Sequence, residues 1–134
     1  MDIRPLTDSY AVSPQIAPED AAAIAAAGYR RVICNRPDME VPPELRADVV
    51  GKAVMAAGMD FVVLPLTHDT LRGFVEEHRR AAAEGPTLAY CASGTRSTVA
   101  WALGQAGAMR ADEILGRAAK AGYDLGGLRG ELAD

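Results

Sequence analysis

The residues best suited to chemistry are consecutive: Tyr90-Cys91-Ala92-Ser93-Gly94-Thr95-Arg96-Ser97. An apolar stretch, Thr87 to Tyr90, runs into a cysteine. Small residues and a glycine follow, then an arginine, then an apolar-periodic segment from Thr98 to Leu103. That order predicts a strand, a tight loop and a helix start. A cysteine at such a junction meets backbone N–H groups and the positive end of a helix dipole, both of which favour negative charge. Thiols in this setting ionise readily and become nucleophiles. Arg96 adds a fixed, always-charged fork suited to an oxyanion. To wrap an anion, the loop must turn its N–H groups inward, and Ala92, Ser93, Gly94 and Thr95 are small enough to allow it. Gly94 can take a positive φ without steric cost. Ser97 is placed to hydrogen-bond the thiolate or to cap the helix. A buried, inert cysteine before an ordinary turn is the bland alternative, and the agreement of these features outweighs it.

The elements that must position this loop alternate along the chain. Ser9–Ser13 reads as a short edge strand. Pro18-Glu19-Asp20 opens an alanine-rich helix that Gly28 ends, with proline and acids first and glycine last. Arg31–Cys34 is a short buried strand, and a loop with three prolines covers 35–43. Glu44 to Ala57 reads as helix, Met59–Leu64 as an apolar strand closed by Pro65. Asp69 or Thr70 can cap a helix running to about Glu84. Gly85-Pro86 turns into the strand Thr87–Tyr90. Helices are expected from Ser97 to Ala106 and from Ala111 to Ala121, with a short helical tail from Leu125. Such alternation implies crossover connections and a mostly parallel sheet of four to five strands flanked by helices, an α/β fold. Ligands bind such sheets at the carboxyl ends of the strands. Three loops meet there: Asn35–Asp38, Thr67–Asp69 and Cys91–Arg96.

Composition bounds the rest. A chain of 134 residues, 49% apolar, is expected to be one domain over residues 1–134 with an adequate core. A net charge of −4 argues against nucleic-acid partners, whose binders present basic stripes. No signal peptide and no bilayer-spanning run is read. Two cysteines, Cys34 and Cys91, suit a reducing cytoplasm better than a disulfide framework. No metal ligand set has zinc spacing and no cofactor is expected. Cys34 reads as buried core; a resolving role would require it close to Cys91.

Cys91-x-x-Gly94-x-Arg96-Ser97 resembles the anion-cradle loop shared by cysteine phosphatases and rhodanese-type sulfurtransferases. From Ile3 to Leu132 the chain resembles a bacterial family with a dual-specificity-phosphatase-like fold, the beta-lactamase-hydrolase-like phosphatase-like domain, also described as sulfur transferases. Its other marks here are Ser13-Pro14-Gln15, Val32-Ile33-Cys34-Asn35-Arg36-Pro37-Asp38, Leu64-Pro65-Leu66 and Ala121-Gly122-Tyr123-Asp124-Leu125. The resemblance implies a cysteine-phosphatase-like fold. It also implies a general acid in the loop after Leu64-Pro65, where Asp69 stands, and a pocket framed by Arg36 and Asp38. Physically, Arg36 can pair with Asp38 or Asp69, or attract an anion, and Asp69 can equally be a helix cap. Some relatives are fused to a metallo-hydrolase domain. For this chain, a metallo-hydrolase or persulfide dioxygenase partner is expected to act in trans.

The chain departs from phosphatases in two ways. Their loops place five residues between cysteine and arginine; this one places four, the rhodanese spacing. They commonly carry histidine before the cysteine; here it is Tyr90. The shorter cradle favours sulfur transfer, in which Cys91 takes sulfur from thiosulfate or a persulfide and passes it to a thiol acceptor. The alternative is hydrolysis of a phosphate ester through a phosphocysteine, with Arg96 and the loop stabilising the transition state and Asp69 protonating the leaving group. A non-catalytic module that binds an anionic or phosphorylated partner ranks last, since it would not need Cys91.

Overall fold

The computed structural model describes residues 1–132. The last two positions of the domain and tail expected from the sequence lie outside the described residues. Five strands form one sheet in the order β1-β2-β5-β3-β4: β1 Arg4–Pro5, β2 Tyr10–Ser13, β3 Arg31–Cys34, β4 Asp60–Val63 and β5 Thr87–Tyr90. All pairings are parallel except β1 with β2. The helices are α1 Ala21–Ala26, α2 Ala47–Ala56, α3 Val75–Ala82, α4 Thr95–Gly104 and α5 Ala111–Lys120, with 3-10 turns between several of them. Parallel strands need such helical crossovers.

β3 and β5 coincide with the sequence reading because strands covered on both faces read as short apolar runs. In register, Cys34 stands opposite Tyr90 and Ser13 stands opposite Tyr90 on the other side. The strand expected at the edge, Ser9–Ser13, is instead interior. The true edge is the two-residue antiparallel β1, too short to leave a periodic signal. α2 starts at Ala47 and not Glu44, because Pro43–Leu45 forms a 3-10 turn and Arg46 is extended. The single helix expected after Thr70 divides into a 3-10 turn, Leu71–Phe74, and α3. The tail forms the 3-10 stretch Gly126–Glu131.

Alternation along each strand separates two apolar clusters. Val12, Ile33 and Ala89 face α4, α5 and the C-terminal segment, with Trp101, Ile114 and Ala118. Ala11, Val32, Cys34, Leu88 and Tyr90 face α1 and α2, with Ile24, Val50 and Val54. β5 is therefore covered on both sides, and its carboxyl end emerges from the best-packed part of the molecule. A third, small cluster of Leu66, Leu71 and Ala100 seats the loop after β4 on α4. No helix among the described residues is long and apolar enough to cross a membrane.

Candidate active site

β5 ends at Tyr90, and Cys91 follows as the first residue of the loop, fully buried. α4 begins at Thr95, two residues earlier than the sequence suggested, because Gly94 at φ +96° is its N-cap. Arg96 is thus inside the first helical turn. The Gly94 N–H points at the Cys91 sulfur, 3.2 Å away, so the thiol lies at the positive end of a ten-residue helix. Gly94 is required twice over. Its φ is one that L side chains rarely adopt, and an added Cβ would land on the Tyr123 hydroxyl and 3.4 Å from the Ser13 backbone.

The rest of the loop is fastened from outside. The Tyr123 hydroxyl donates to the Ser93 carbonyl at 2.8 Å, and the Gln15 N–H donates to the Ala92 carbonyl at 3.2 Å. Arg4 of β1 covers the Tyr123 ring, its guanidinium carbon 5.1 Å from the centroid. Ala92, Ser93 and Thr95 are exposed. The Ser93 and Thr95 hydroxyls are 3.0 Å apart, and the Thr95 N–H turns to Ser93 Oγ at 3.4 Å. Of the loop's N–H groups, Gly94's is the one that reaches the sulfur.

Arg96 is held by an acid that sequence reasoning missed. Its Nη1 and Nη2 donate to Glu40 Oε2 and Oε1 at 2.9 and 2.7 Å, and Nη1 also donates to the Leu66 carbonyl at 2.8 Å. The end-on edge of the guanidinium is thereby filled. The side-on edge, Nε–H with the second Nη2–H, remains for an anion on the Cys91 side. Glu40 raises the Arg96 pKa, and the nearby Cys91 charge adds to the effect; Arg96 in turn holds the Glu40 carboxyl below its ordinary range. Glu40 had no local signal: it lies 56 residues from Arg96, in an exposed turn.

Arg36 joins this cluster, pairing neither with Asp38 nor with Asp69. Its Nε donates to Glu40 Oε1 at 3.4 Å, its Nη2 to the Glu40 carbonyl at 3.0 Å, and its Nη1 to Gln15 Oε1 at 3.2 Å. Asp38 takes a different job from framing a pocket. Its Oδ1 accepts the Ala47 N–H at 2.8 Å and so caps α2 from nine residues upstream, where Arg46 offers no side-chain cap.

Asp69 is exposed in the loop after β4, and it does not cap the next helix. The turn before the helix is closed by Thr67 and Thr70, each hydroxyl accepting the other's N–H at 3.2 and 3.1 Å, and the Leu71–Phe74 turn carries no side-chain cap. The Asp69 carboxylate has no hydrogen bond or ion pair among the described residues, and its loop is tied to Arg96 through Leu66.

Ser97 neither touches the thiol nor caps α4. It is buried, and its Oγ donates to Asn35 Oδ1 at 2.8 Å. Cys34 faces α1 and α2 beside Tyr90, its thiol on the Arg36 carbonyl at 3.4 Å. Burial pushes the Cys34 thiol up. Burial likewise pushes the Tyr90 phenol up, with Cys34 adding to it. Both cysteines are free. No cluster of three or more His, Cys, Asp or Glu side chains suited to a metal occurs among the described residues. A cleft of about 610 Å³, lined by Thr7, Tyr10, His78, Trp101 and Gln105, opens at the amino ends of the strands and is separate from Cys91.

The chain as a whole is similar to known proteins. The model of the beta-lactamase hydrolase-like protein, phosphatase-like domain, matches residues 2–108. Beta-lactamase hydrolase-like proteins of Agrobacterium fabrum (strain C58) and Xylella fastidiosa (strain Temecula1) are 34% and 31% identical over 87% and 94% of this chain. The chain spans less than a third of either relative, 28% and 30% of their lengths. A candidate phosphatase from Neisseria meningitidis Z2491 superposes with a TM-score of 0.84 at 34% identity, over 97% of this chain and 95% of that one. Tk-PTP and the pTyr complex of P. aeruginosa TpbA share the fold at 15% and 16% identity, with TM-scores of 0.68 and 0.63 and coverage of 97% and 96% of this chain, 92% and 88% of theirs. The fold is cysteine-phosphatase-like. The sulfur transfer expected from loop length finds no support in these likenesses; the phosphatase alternative does. By the match over residues 2–108 and by its full-length relatedness to the Neisseria protein, this chain belongs to the family of the beta-lactamase hydrolase-like protein, phosphatase-like domain.

Proposed function

We propose that this domain is a phosphatase that hydrolyses phosphate esters through Cys91. The observation that carries the reading is that the Gly94 N–H and the α4 N-terminus meet the Cys91 sulfur, with the Arg96 guanidinium close enough to feel its charge. In the first step, the Cys91 thiolate attacks phosphorus, the P–O bond to the leaving group breaks, and Asp69 supplies the proton that the departing oxygen takes up. In the second, water attacks the phosphocysteine, Asp69 takes its proton, and the thiolate leaves as inorganic phosphate forms. The side-on edge of Arg96 holds two equatorial oxygens in both steps, where charge accumulates. Asp69 is suited to the proton role because it is exposed and Thr67 and Thr70 close its turn without it.

Asp69→Asn tests the assignment. With an aryl phosphate whose leaving group needs protonation, the turnover rate is expected to fall about 10²–10⁴-fold with unchanged thermal stability. Cys91→Ser should remove turnover altogether. Retained activity in either variant overturns the corresponding role.

One observation favours a second reading, sulfur transfer: four residues, not five, separate Cys91 from Arg96, and one loop N–H meets the sulfur. There, Cys91 attacks the outer sulfur of thiosulfate, the S–S bond breaks, sulfite leaves, and a thiol acceptor later removes the sulfur. Intact mass after incubation with thiosulfate separates the two. A one-sulfur adduct absent from Cys91→Ser supports sulfur transfer; no adduct, with aryl phosphate turnover, supports the phosphatase. A metallo-hydrolase or persulfide-oxidising partner acting in trans belongs to this second reading.

A further inference from the structure

The start of α4 is held from two sides. Beneath it, four buried polar residues close a ring of hydrogen bonds. Ser97 Oγ donates to Asn35 Oδ1 at 2.8 Å, and Asn35 Nδ2 lies 3.3 Å from His78 Nδ1. His78 Nε2 lies 2.8 Å from the Tyr10 hydroxyl, which donates to the Ser97 carbonyl at 2.9 Å. This ring fixes Ser97, and none of its bonds reaches residues 92–94. Those are held from outside by a side chain near the other end of the chain, Tyr123.

Two of the loop's bonds belong to one peptide unit. The Tyr123 hydroxyl donates to the Ser93 carbonyl at 2.8 Å, and the N–H of the same Ser93–Gly94 peptide points at the Cys91 sulfur from 3.2 Å. This peptide is trans, and in a trans peptide the C=O and the N–H point in opposite directions. Whatever fixes the carbonyl therefore fixes the N–H. Glycine alone does not fix it. Gly94 stands at φ +96°, but glycine accepts the negative φ of the turned-over peptide as readily. In that second orientation a carbonyl oxygen would face the sulfur, and its lone pairs repel a thiolate. Tyr123 distinguishes the two, because its hydroxyl has a partner only in the first. The Arg4 guanidinium covers its aromatic ring at 5.1 Å and donates to the Ala121 carbonyl at 3.2 Å, which holds Tyr123 in place. Burial, against the pull of Arg4, keeps the phenol above its ordinary range, so it stays a donor. We propose that Tyr123 is a positioning residue for Cys91: by holding the Ser93 carbonyl away from the sulfur, it keeps the Gly94 N–H on the sulfur and favours the thiolate.

This inference rests on Cys91 as the nucleophile proposed above, and it is tested on the thiol rather than on turnover. The ultraviolet absorbance of the thiolate is titrated with pH, as the difference between each protein and its Cys91→Ser counterpart, which cancels the tyrosine signal. Tyr123→Phe keeps the aromatic ring under Arg4 and loses only the hydroxyl. Its midpoint is expected about one pH unit above the native one, the size of one hydrogen bond to a charged acceptor. In the amide NMR spectrum of the native protein, the Gly94 resonance should move with the thiol titration. In Tyr123→Phe that response should be largely lost. Arg4→Met leaves the hydroxyl but uncovers the aromatic ring; it should shift the midpoint the same way by less, which covers failure of the phenylalanine variant to fold. An unshifted midpoint in either folded variant overturns the proposal. So does a Gly94 resonance that follows the titration at full amplitude in Tyr123→Phe. A lower melting temperature without a shifted midpoint would make Tyr123 a structural residue only and overturns it as well. A titration that behaves as expected in a protein that turns over no phosphate ester would leave the positioning role standing and remove the phosphatase reading.

Discussion

Arg96 and Ser97 are neighbours in sequence and opposites in environment. Arg96 is held at the surface by charge: Glu40 grips it end-on, and Arg36 steadies Glu40 from the other side. Ser97 is held in the interior by a neutral ring with no charged member. Exposed ion pairs contribute little to stability and are screened by salt. Buried neutral networks contribute more and cannot be exchanged for water. The helix start is thus fixed from below, while its guanidinium stays in a setting that an incoming anion can share.

Among changes to these two neighbours and their partners, the largest effect should come from Arg96→Ala, which removes charge at the reacting centre. Activity on an aryl phosphate is expected to fall about 10²–10³-fold, while the melting temperature falls by only a few degrees, about 5 °C or less, since one half-exposed ion pair and one bond to the Leu66 carbonyl are lost. A collapse of stability would show that Arg96, not Ser97, holds the helix start. Next, burial holds the His78 imidazole at about 4, below its ordinary 6.5. The unfolded chain therefore binds more protons between those values, and the stabilisation present above pH 6.5 is lost as pH falls toward 4, about 3 kcal/mol in all. Urea melts at the two ends of that window, with His78→Gln expected to be much flatter, measure it. Asn35→Ala leaves Ser97 Oγ and His78 Nδ1 unpaired and should cost about 1–3 kcal/mol in the same melts, insensitive to salt. Glu40→Gln is the smallest. Its carboxyl sits below the ordinary 4.5 because of Arg96, so its contribution is present above that pH and lost as pH falls through the depressed value. Less than about 1 kcal/mol is expected, and high salt should erase it. A salt-insensitive loss would place Glu40 in the same class as Asn35.

The sequence was legible where the physics is local. β3 and β5 declare themselves as apolar runs with clear boundaries, and Cys91 with Arg96 follows from the strand that carries them. The order of the strands was not legible, so β2 read as an edge. Partners far apart in the chain were hidden for the same reason. Glu40 follows a proline loop and looks like solvent-facing charge. His78 sits in Val-Glu-Glu-His-Arg-Arg, a run whose charges suggest a fully solvated helix, although it is 1% exposed. Asp38 and Asp69 could have exchanged roles on sequence grounds. Only the reciprocal Thr67–Thr70 turn bonds and the Asp38–Ala47 bond show which carboxylate is occupied and which is free.

Tyr123 gives these contacts a wider consequence. Its hydroxyl pins the Ser93 carbonyl, and its ring lies where only glycine at position 94 leaves room. Yet Tyr123 lies fifteen residues past the end of the segment that the family model matches, residues 2–108. A protein trimmed to that segment would keep Cys91, Arg96, Glu40 and the whole ring beneath Ser97, and would lose the clamp on the loop itself. The stretch of chain by which relatives are recognised is shorter than the stretch that gives the loop its shape, and excision, fusion or domain exchange in this family should be cut to the latter.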